Sequence, residues 1–197
     1  MPERKNEILA ICDFIVRNPN GSSSPLYLYG NNGCGKTSSI EKVLFELAEA
    51  ETEVENVSSC LINCLLLKNT RAAYSLLLSN LFGISHHKPE AILNDLFTKG
   101  YCEEAVDRKR ISATKIIVLD EIDAVVKDER FMYNILEWLH HKKSKILLVI
   151  ISNYADLEAK LSEKHRSRMK FDVLVYKPYN YQDIRQIFIT KHLSLIH

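Results

Sequence analysis

Two periodicities of apolar residues alternate along the chain. Ile8, Ile11, Cys12 and Ile15 recur at helical spacing and predict an N-terminal helix. Residues 17–25, RNPNGSSSP, break the pattern with Pro, Gly, Asn and Ser and read as a surface turn. Residues 26–29 form a short β-type run. From Thr37 to Ala50 the helical period returns, with Ile40, Val43, Leu44, Leu47 and Ala48 on one face. A second strand falls within residues 57–63. Thr70 is placed to cap a helix carrying Ala73, Leu76, Leu77 and Leu81, and a further helix runs from Pro89 through Phe97.

The second half repeats the alternation. KIIVL, residues 115–119, is a continuous apolar run of the kind buried on both faces of a sheet. Phe131, Met132, Ile135, Leu136 and Leu139 define the next helix. KILLVII, residues 145–151, is another buried strand, and residues 171–176 are a fifth. Asn180 can cap a last helix carrying Ile184, Ile187, Phe188 and Ile189, with Asp183 near its positive end. Strands alternating with helices predict an α/β fold: an αβα sandwich around a mainly parallel five-stranded sheet. No internal repeat or low-complexity tract interrupts it.

Composition narrows the picture. A chain of 197 residues, 46% hydrophobic and 26% charged, suits one domain with a substantial core. With 26 Lys and Arg against 25 Asp and Glu, the net charge of +1 offers no global field for nucleic acid. The local clusters Arg108-Lys109-Arg110 and His140 to Lys145 read as solvated loops, as does His86-His87. Cys12, Cys34, Cys60, Cys64 and Cys102 form no metal-type CxxC pairs. Their odd number and the absence of a signal peptide point to a reducing, intracellular setting. The longest apolar runs, such as residues 146–151, are too short to span a bilayer, so no membrane role is expected.

Three motifs carry chemistry. Gly30-Asn31-Asn32-Gly33-Cys34-Gly35-Lys36-Thr37 satisfies G-x-x-x-x-G-K-[ST] between a strand and a helix. The glycines let successive N–H groups turn onto phosphate oxygens, and the following helix adds its positive end. Lys36 can reach the β- and γ-phosphates, and the Thr37 hydroxyl can ligate Mg2+. The second motif, IIVLDEID at residues 116–123, ends a buried strand in adjacent acids. Asp120 suits the metal's water shell and Glu121 suits the attacking water. The third is Asn153, which follows the next buried strand. It can reach the γ-phosphate or the attacking water, or else cap a turn. NYAD at residues 153–156 lacks the lysine of a guanine reader, and Asp123 stands where a D-x-x-G motif needs glycine, so a GTPase is not expected.

The glycine loop, the D-E pair and the strand-end Asn together resemble an AAA+ ATPase of the P-loop class. Further marks are AAYSLLLSNLFG, YNILEW, the SRM at residues 167–169, and KPYNYQDI. They resemble the initiator family of origin recognition complex subunit 1 and the cell-division-cycle 6 loader, the former more closely. The resemblance covers nearly the whole chain. It implies a nuclear replication initiator that binds ATP and Mg2+ between neighbouring subunits, assembles on origin DNA with other subunits of the complex, and works with helicase-loading factors. By position, Gly30, Asn31, Asn32, Gly33, Cys34, Gly35, Lys36, Thr37 and Ser38 would form the Walker A cofactor site. Asp120 and Glu121 would be the Walker B acids, Thr37 and Asp120 the Mg2+ ligands, and Asn153 the first sensor. A finger acting on a neighbour's nucleotide would come from Lys164, Arg166 or Arg168.

Members of the family continue into a helical lid and a winged-helix domain. Residues 1–197 are therefore expected to be the AAA+ base domain, with residues 26–197 as its nucleotide-binding core and neither appended domain. Two functions follow: a slow ATPase that acts as an assembly switch, or a truncated P-loop scaffold that works through protein contacts without hydrolysis.

Overall fold

The computed structural model describes residues 4–49, 57–103, 106–161, 163–166 and 170–194. Five parallel strands form one sheet: β1 (Leu26–Gly30), β2 (Val57–Asn63), β3 (Thr114–Asp120), β4 (Ile146–Ser152) and β5 (Asp172–Tyr176), in the spatial order β2-β3-β4-β1-β5. The alternation of strands and helices predicts a mainly parallel sheet, and every pairing is parallel. All seven positions of β3 and all seven of β4 are buried, as central strands covered on both faces require.

Alternation sorts the core into two layers. Leu26, Leu28, Ile116, Val118, Leu147, Val149 and Ile151 meet α1 (Lys5–Arg17) and α2 (Lys36–Glu49) through Ile11, Phe14, Ile40 and Val43. On the other face, Tyr27, Ile117, Leu119, Leu148 and Ile150 pack against α3 (Thr70–Phe82), α4 (Pro89–Asn94) and α6 (Glu129–Leu139). Each such Leu, Ile or Val contributes about 1.5–3 kcal/mol by leaving water. The short helix α5 (Arg108–Ser112) leads into β3. Helices α7 (Leu157–Lys160) and α8 (Glu163–Arg166) link β4 to β5, and α9 (Tyr181–Ser194) ends the described chain.

Most boundaries fall where the caps predict. Asn180 and Asp183 exchange backbone–side-chain bonds of 2.9 Å each, a reciprocal cap for α9. One cap differs from the expectation. Asn69, not Thr70, receives the Ala72 N–H, at 3.0 Å, and Thr70 is already helical. The Thr70 hydroxyl instead donates to Asp128, whose other oxygen caps α6 by accepting from Phe131 N–H. The predicted helix from Pro89 to Phe97 also changes character: after Asn94 it widens into one π-helical turn, Asp95–Lys99, closed by Gly100 at φ 79°.

Candidate functional site

Parallel strands bring all their C-terminal ends to one edge. β1 runs into the glycine loop, β3 into the two acids and β4 into Asn153. Because β4 lies between β3 and β1, Asn153 is placed between the acids and the loop by topology alone. The connection after β1 runs toward β2 and the one after β4 toward β5, so the border between β1 and β4 is a switch point of the kind where open α/β sheets bind ligands.

The loop packs tightly on its own sheet. A Cβ on Gly30 would overlap the Tyr176 carbonyl oxygen of the neighbouring strand, so only glycine fits. Gly33 and Gly35 take φ of 77° and 89°, the left-handed region that turns N–H groups toward a common side. Asn31, Asn32 and Gly33 form the exposed crest, whereas Cys34 is buried. Helix α2 starts at Lys36, and its first-turn N–H groups, including those of Thr37 and the exposed Ser38, lack intrahelical acceptors. The first bond of this turn runs from Ser39 N–H to Gly35 O at 3.0 Å.

Lys36 is 6% exposed, and its ammonium donates to Gly30 O at 2.7 Å, to Asn31 O at 3.1 Å and to Asn153 Oδ1 at 3.0 Å. The other end of the Asn153 amide donates to Glu121 Oε2 at 2.7 Å. Asn153 is thus a bridge with its acceptor on the lysine and its donor on the acid, and its side chain does not act as a turn cap. Asp120, 3% exposed, accepts from the Thr37 hydroxyl at 2.9 Å and from Glu121 N–H at 3.0 Å. Thr37 and Asp120 therefore present adjacent oxygens on facing segments, a donor set that suits a hard divalent cation. Glu121 itself lies at φ 52°, ψ 47°, a left-handed conformation that is strained for a residue with a side chain.

Of the three finger candidates, Arg166 donates to Ala159 O at 3.3 Å and to Leu161 O at 3.2 Å, closing the end of α7. The Lys164 side chain, Arg168 and the SRM motif lie outside the described residues.

Sequence reasoning missed two groups beside the site. In the sequence Asp123 marks only the absence of a D-x-x-G motif. In the structure its carboxylate accepts from Ser152 Oγ, from Asn153 N–H and from Lys160. Burial alone would raise its pKa, but these bonds and the Lys160 charge outweigh burial and hold the carboxyl below its ordinary 3.8. The available signal was a third acid within one turn of the D-E pair. The second group is Arg4, buried at the start of α1. It pairs with Glu7 at 2.6 Å, donates to Lys177 O and stands 4.2 Å over the Tyr179 ring. Nothing in the local sequence pattern marks a contact across more than 170 positions.

The cysteines are free thiols. Cys64, beneath the acids, is pushed up to about 12 by burial and then by the charges of Asp120 and Glu121, so it stays protonated. A cavity of about 510 Å³ opens elsewhere, between α3, α4 and α6, lined by Thr70, Tyr74, His87, Glu90 and Asn94. It is at the glycine loop, not in this cavity, that the polar groups of Lys36, Thr37, Asp120, Glu121 and Asn153 converge. No described helix is long and apolar enough to cross a membrane.

Comparison with known proteins agrees with this geometry. The ATPase family associated with various cellular activities (AAA) matches residues 26–179. Origin of replication complex subunit 1B of Arabidopsis thaliana is 32% identical over 200 residues, covering 97% of this chain and 24% of the relative. Origin recognition complex subunit 1 of Plasmodium falciparum is 28% identical over 194 residues, covering 95% of this chain and 16% of the relative. The chain therefore spans a quarter or less of these relatives. A chain of the Drosophila origin recognition complex bound to DNA superposes with a TM-score of 0.76 at 22% identity, covering 95% of this chain and 45% of that one, a likeness of fold. Strand order, glycine loop and family match lead to one assignment: the chain belongs to the AAA family of ATPases, and relatives along almost its whole length are origin recognition complex subunit 1 proteins.

Proposed function

We propose that this chain is the ATP-binding base domain of an origin recognition complex subunit, in which Mg·ATP acts as an assembly switch and is hydrolysed slowly at a contact with a neighbouring subunit. The observation that carries the reading is the Asn153 bridge, with 3.0 Å to Lys36 and 2.7 Å to Glu121. A lysine for phosphate and an acid for water are held by one amide, which suits a site that reads the end of a triphosphate.

Each residue has a defined task. Lys36 exchanges its loop carbonyls for phosphate oxygens, which form stronger charge-assisted bonds. Gly30 to Ser38 offer backbone N–H groups to the phosphates. Glu121 accepts a hydrogen bond from the attacking water and orients it, and Asn153 fixes the position of that carboxylate. Thr37 and Asp120 would hold Mg2+, which supplies charge neutralisation on the phosphate oxygens. A cation from the neighbour, contributed by its own Lys164, Arg166 or Arg168, would complete the charge stabilisation, so the isolated chain turns over slowly. By the likeness to DNA-bound relatives, we assign its work to the nucleus, on origin DNA, with other subunits of the complex and helicase-loading factors.

The test pairs two variants. Lys36→Ala should abolish binding of a fluorescent ATP analogue, whereas Glu121→Gln should bind it as wild type does and lose turnover. Equal affinity of wild type and Lys36→Ala would overturn the site assignment.

A second reading, a scaffold that does not hydrolyse, is favoured by one observation. Val173, Val175, Ile184, Phe188 and Ile189 leave apolar side chains exposed on β5 and α9. Capture of other initiator subunits that is unaffected by ATP would favour it over the switch.

A further inference from the structure

Asp123 takes no part in the chemistry above, yet it is the most heavily bonded acid beside it. It lies in the 3-10 turn Ile122–Ala124, just after β3. Its Oδ2 accepts from Ser152 Oγ at 2.7 Å and from Asn153 N–H at 3.3 Å, and its Oδ1 accepts from Lys160 Nζ at 2.9 Å. One carboxylate therefore joins three segments: the acid loop, the end of β4 and the last residue of α7.

The segment around Asn153 is held from several sides. Ser152 Oγ accepts from Tyr154 N–H at 3.0 Å, and the Tyr27 hydroxyl donates to Tyr154 O. The Lys160 ammonium stands 3.6 Å above the Tyr154 ring while it pairs with Asp123. The Asn153 side chain leaves this cluster in the opposite sense, toward Lys36 and Glu121. Its backbone is fixed by one set of partners so that its amide can serve another.

We propose that Asp123 and Lys160 are positioning residues for Asn153, and that their ion pair is the link through which the α7–α8 segment sets the reach of Glu121. The proposal rests on reading Glu121 and Asn153 as the water-orienting pair. Its physical basis is the demand for two simultaneous bonds from one amide, since a displacement of about 1 Å at such a site can cost on the order of 100-fold in rate. Helices α7 and α8 are one turn each, too short to hold themselves. Among the described residues, their anchors include the buried Leu157 and Leu161, the Arg166 bonds to Ala159 O and Leu161 O, and the Asp123–Lys160 pair. Of these, the ion pair is the anchor that ends on the acid loop. Loss of the Lys160 donor leaves the Asp123 carboxylate short of one partner and frees the end of β4 to shift.

The experiment uses the 197-residue chain with its asparagine side chains labelled with 15N, in wild type and in Lys160→Met, Lys160→Arg and Glu121→Gln variants. Methionine keeps the apolar stem over Tyr154 and removes the charge. In wild type, the two Asn153 amide protons should be well separated and slow to exchange with water. Lys160→Met should move them toward free-amide positions and Lys160→Arg should restore them. The affinity for ATP should stay within about twofold, and single-turnover hydrolysis should fall about tenfold in Lys160→Met. Unmoved amide signals in Lys160→Met, no restoration by arginine, or a loss of ATP affinity matching the loss of rate would each overturn the proposal. If Glu121→Gln hydrolyses ATP as fast as wild type, the reading of Glu121 fails, and the amide signals still decide whether the pair positions Asn153.

Discussion

Replacing Glu121 by glycine and, separately, by alanine isolates the conformational cost stored beside the glycine loop. Both variants lose the carboxylate and the bond it accepts from Asn153, so side-chain effects cancel when the two are compared. The backbone does not cancel. At φ 52°, ψ 47° a Cβ crowds the following carbonyl, a cost of roughly 1–2 kcal/mol that glycine avoids. Glycine also makes the unfolded chain freer, which offsets about 0.4–1 kcal/mol. The glycine variant should therefore be more stable than the alanine variant by about 0.5–1 kcal/mol. That corresponds to a melting temperature higher by about 1–4 °C for a domain of this size. Urea unfolding followed by the fluorescence of Trp138, the one tryptophan and fully buried, is a suitable assay. The same pair of substitutions at Glu41, exposed inside α2, is the control: there alanine should win by about 0.8–1 kcal/mol. If Glu121→Ala equals or exceeds Glu121→Gly in stability, the acid is not strained and the reasoning fails.

Other outcomes follow from the caps, the buried lysine and the thiols. Asn69→Ala should destabilise by about 1 kcal/mol through the lost α3 cap. A double-mutant cycle of Thr70 with Asp128 should show coupling of about 0.5–1 kcal/mol, and zero coupling would refute the Thr70–Asp128 bond. Lys115 is 1% exposed, donates to Ile111 O and Ala113 O, and is pushed down to about 8 by burial and then by Lys145. The unfolded chain keeps that proton up to about 10.5 while the folded chain releases it near 8, so folding is favoured as pH rises between these values. Wild type should accordingly gain stability relative to Lys115→Met from pH 8 to 10.5, and parallel stability curves would contradict it. Ellman's reagent should modify Cys12 and Cys102 in the native protein well before Cys60 and Cys64, both buried with thiol pKa values raised by desolvation. Early modification of Cys64 would mean that the acid loop opens.

Elements whose information is local were legible in the sequence. The strands at residues 115–119 and 145–151 were evident because full burial requires uninterrupted apolar residues; the structure adds Thr114 and Asp120 to the first and shifts the second by one, leaving out Lys145 and taking in Ser152. The glycine loop was legible because phosphate geometry needs particular residue types at fixed spacing. Asn69 was missed as a cap because Asn69 and Thr70 are both capping types, and only the backbone angle distinguishes them. The π-helical turn at Asp95–Lys99 carries no periodic signature over so few residues. The bridge from Lys36 through Asn153 to Glu121 depends on strand order, which local pattern does not encode. Asp123 and Arg4 are harder still. Each is an ordinary charged residue whose burial and partners exist only once distant segments have met.

The position of β1 in the sheet also bears on how the chain is made. Leu26 to Tyr29 pair with Val149 to Ser152 on one side and, together with Gly30, with Asp172 to Tyr176 on the other. Both partners are synthesised roughly 120 residues or more after β1 itself, which at ~5–20 residues per second is a delay of about 6–24 s. Until then Leu26, Tyr27 and Leu28 have no sheet to enter, and the glycine loop that follows them has no fixed frame. ATP cannot assist the early stages of folding, and chaperones that bind short apolar segments have an interval in which to act. The glycine loop thus leaves the ribosome well before the two strands that frame it, and its shape waits for them.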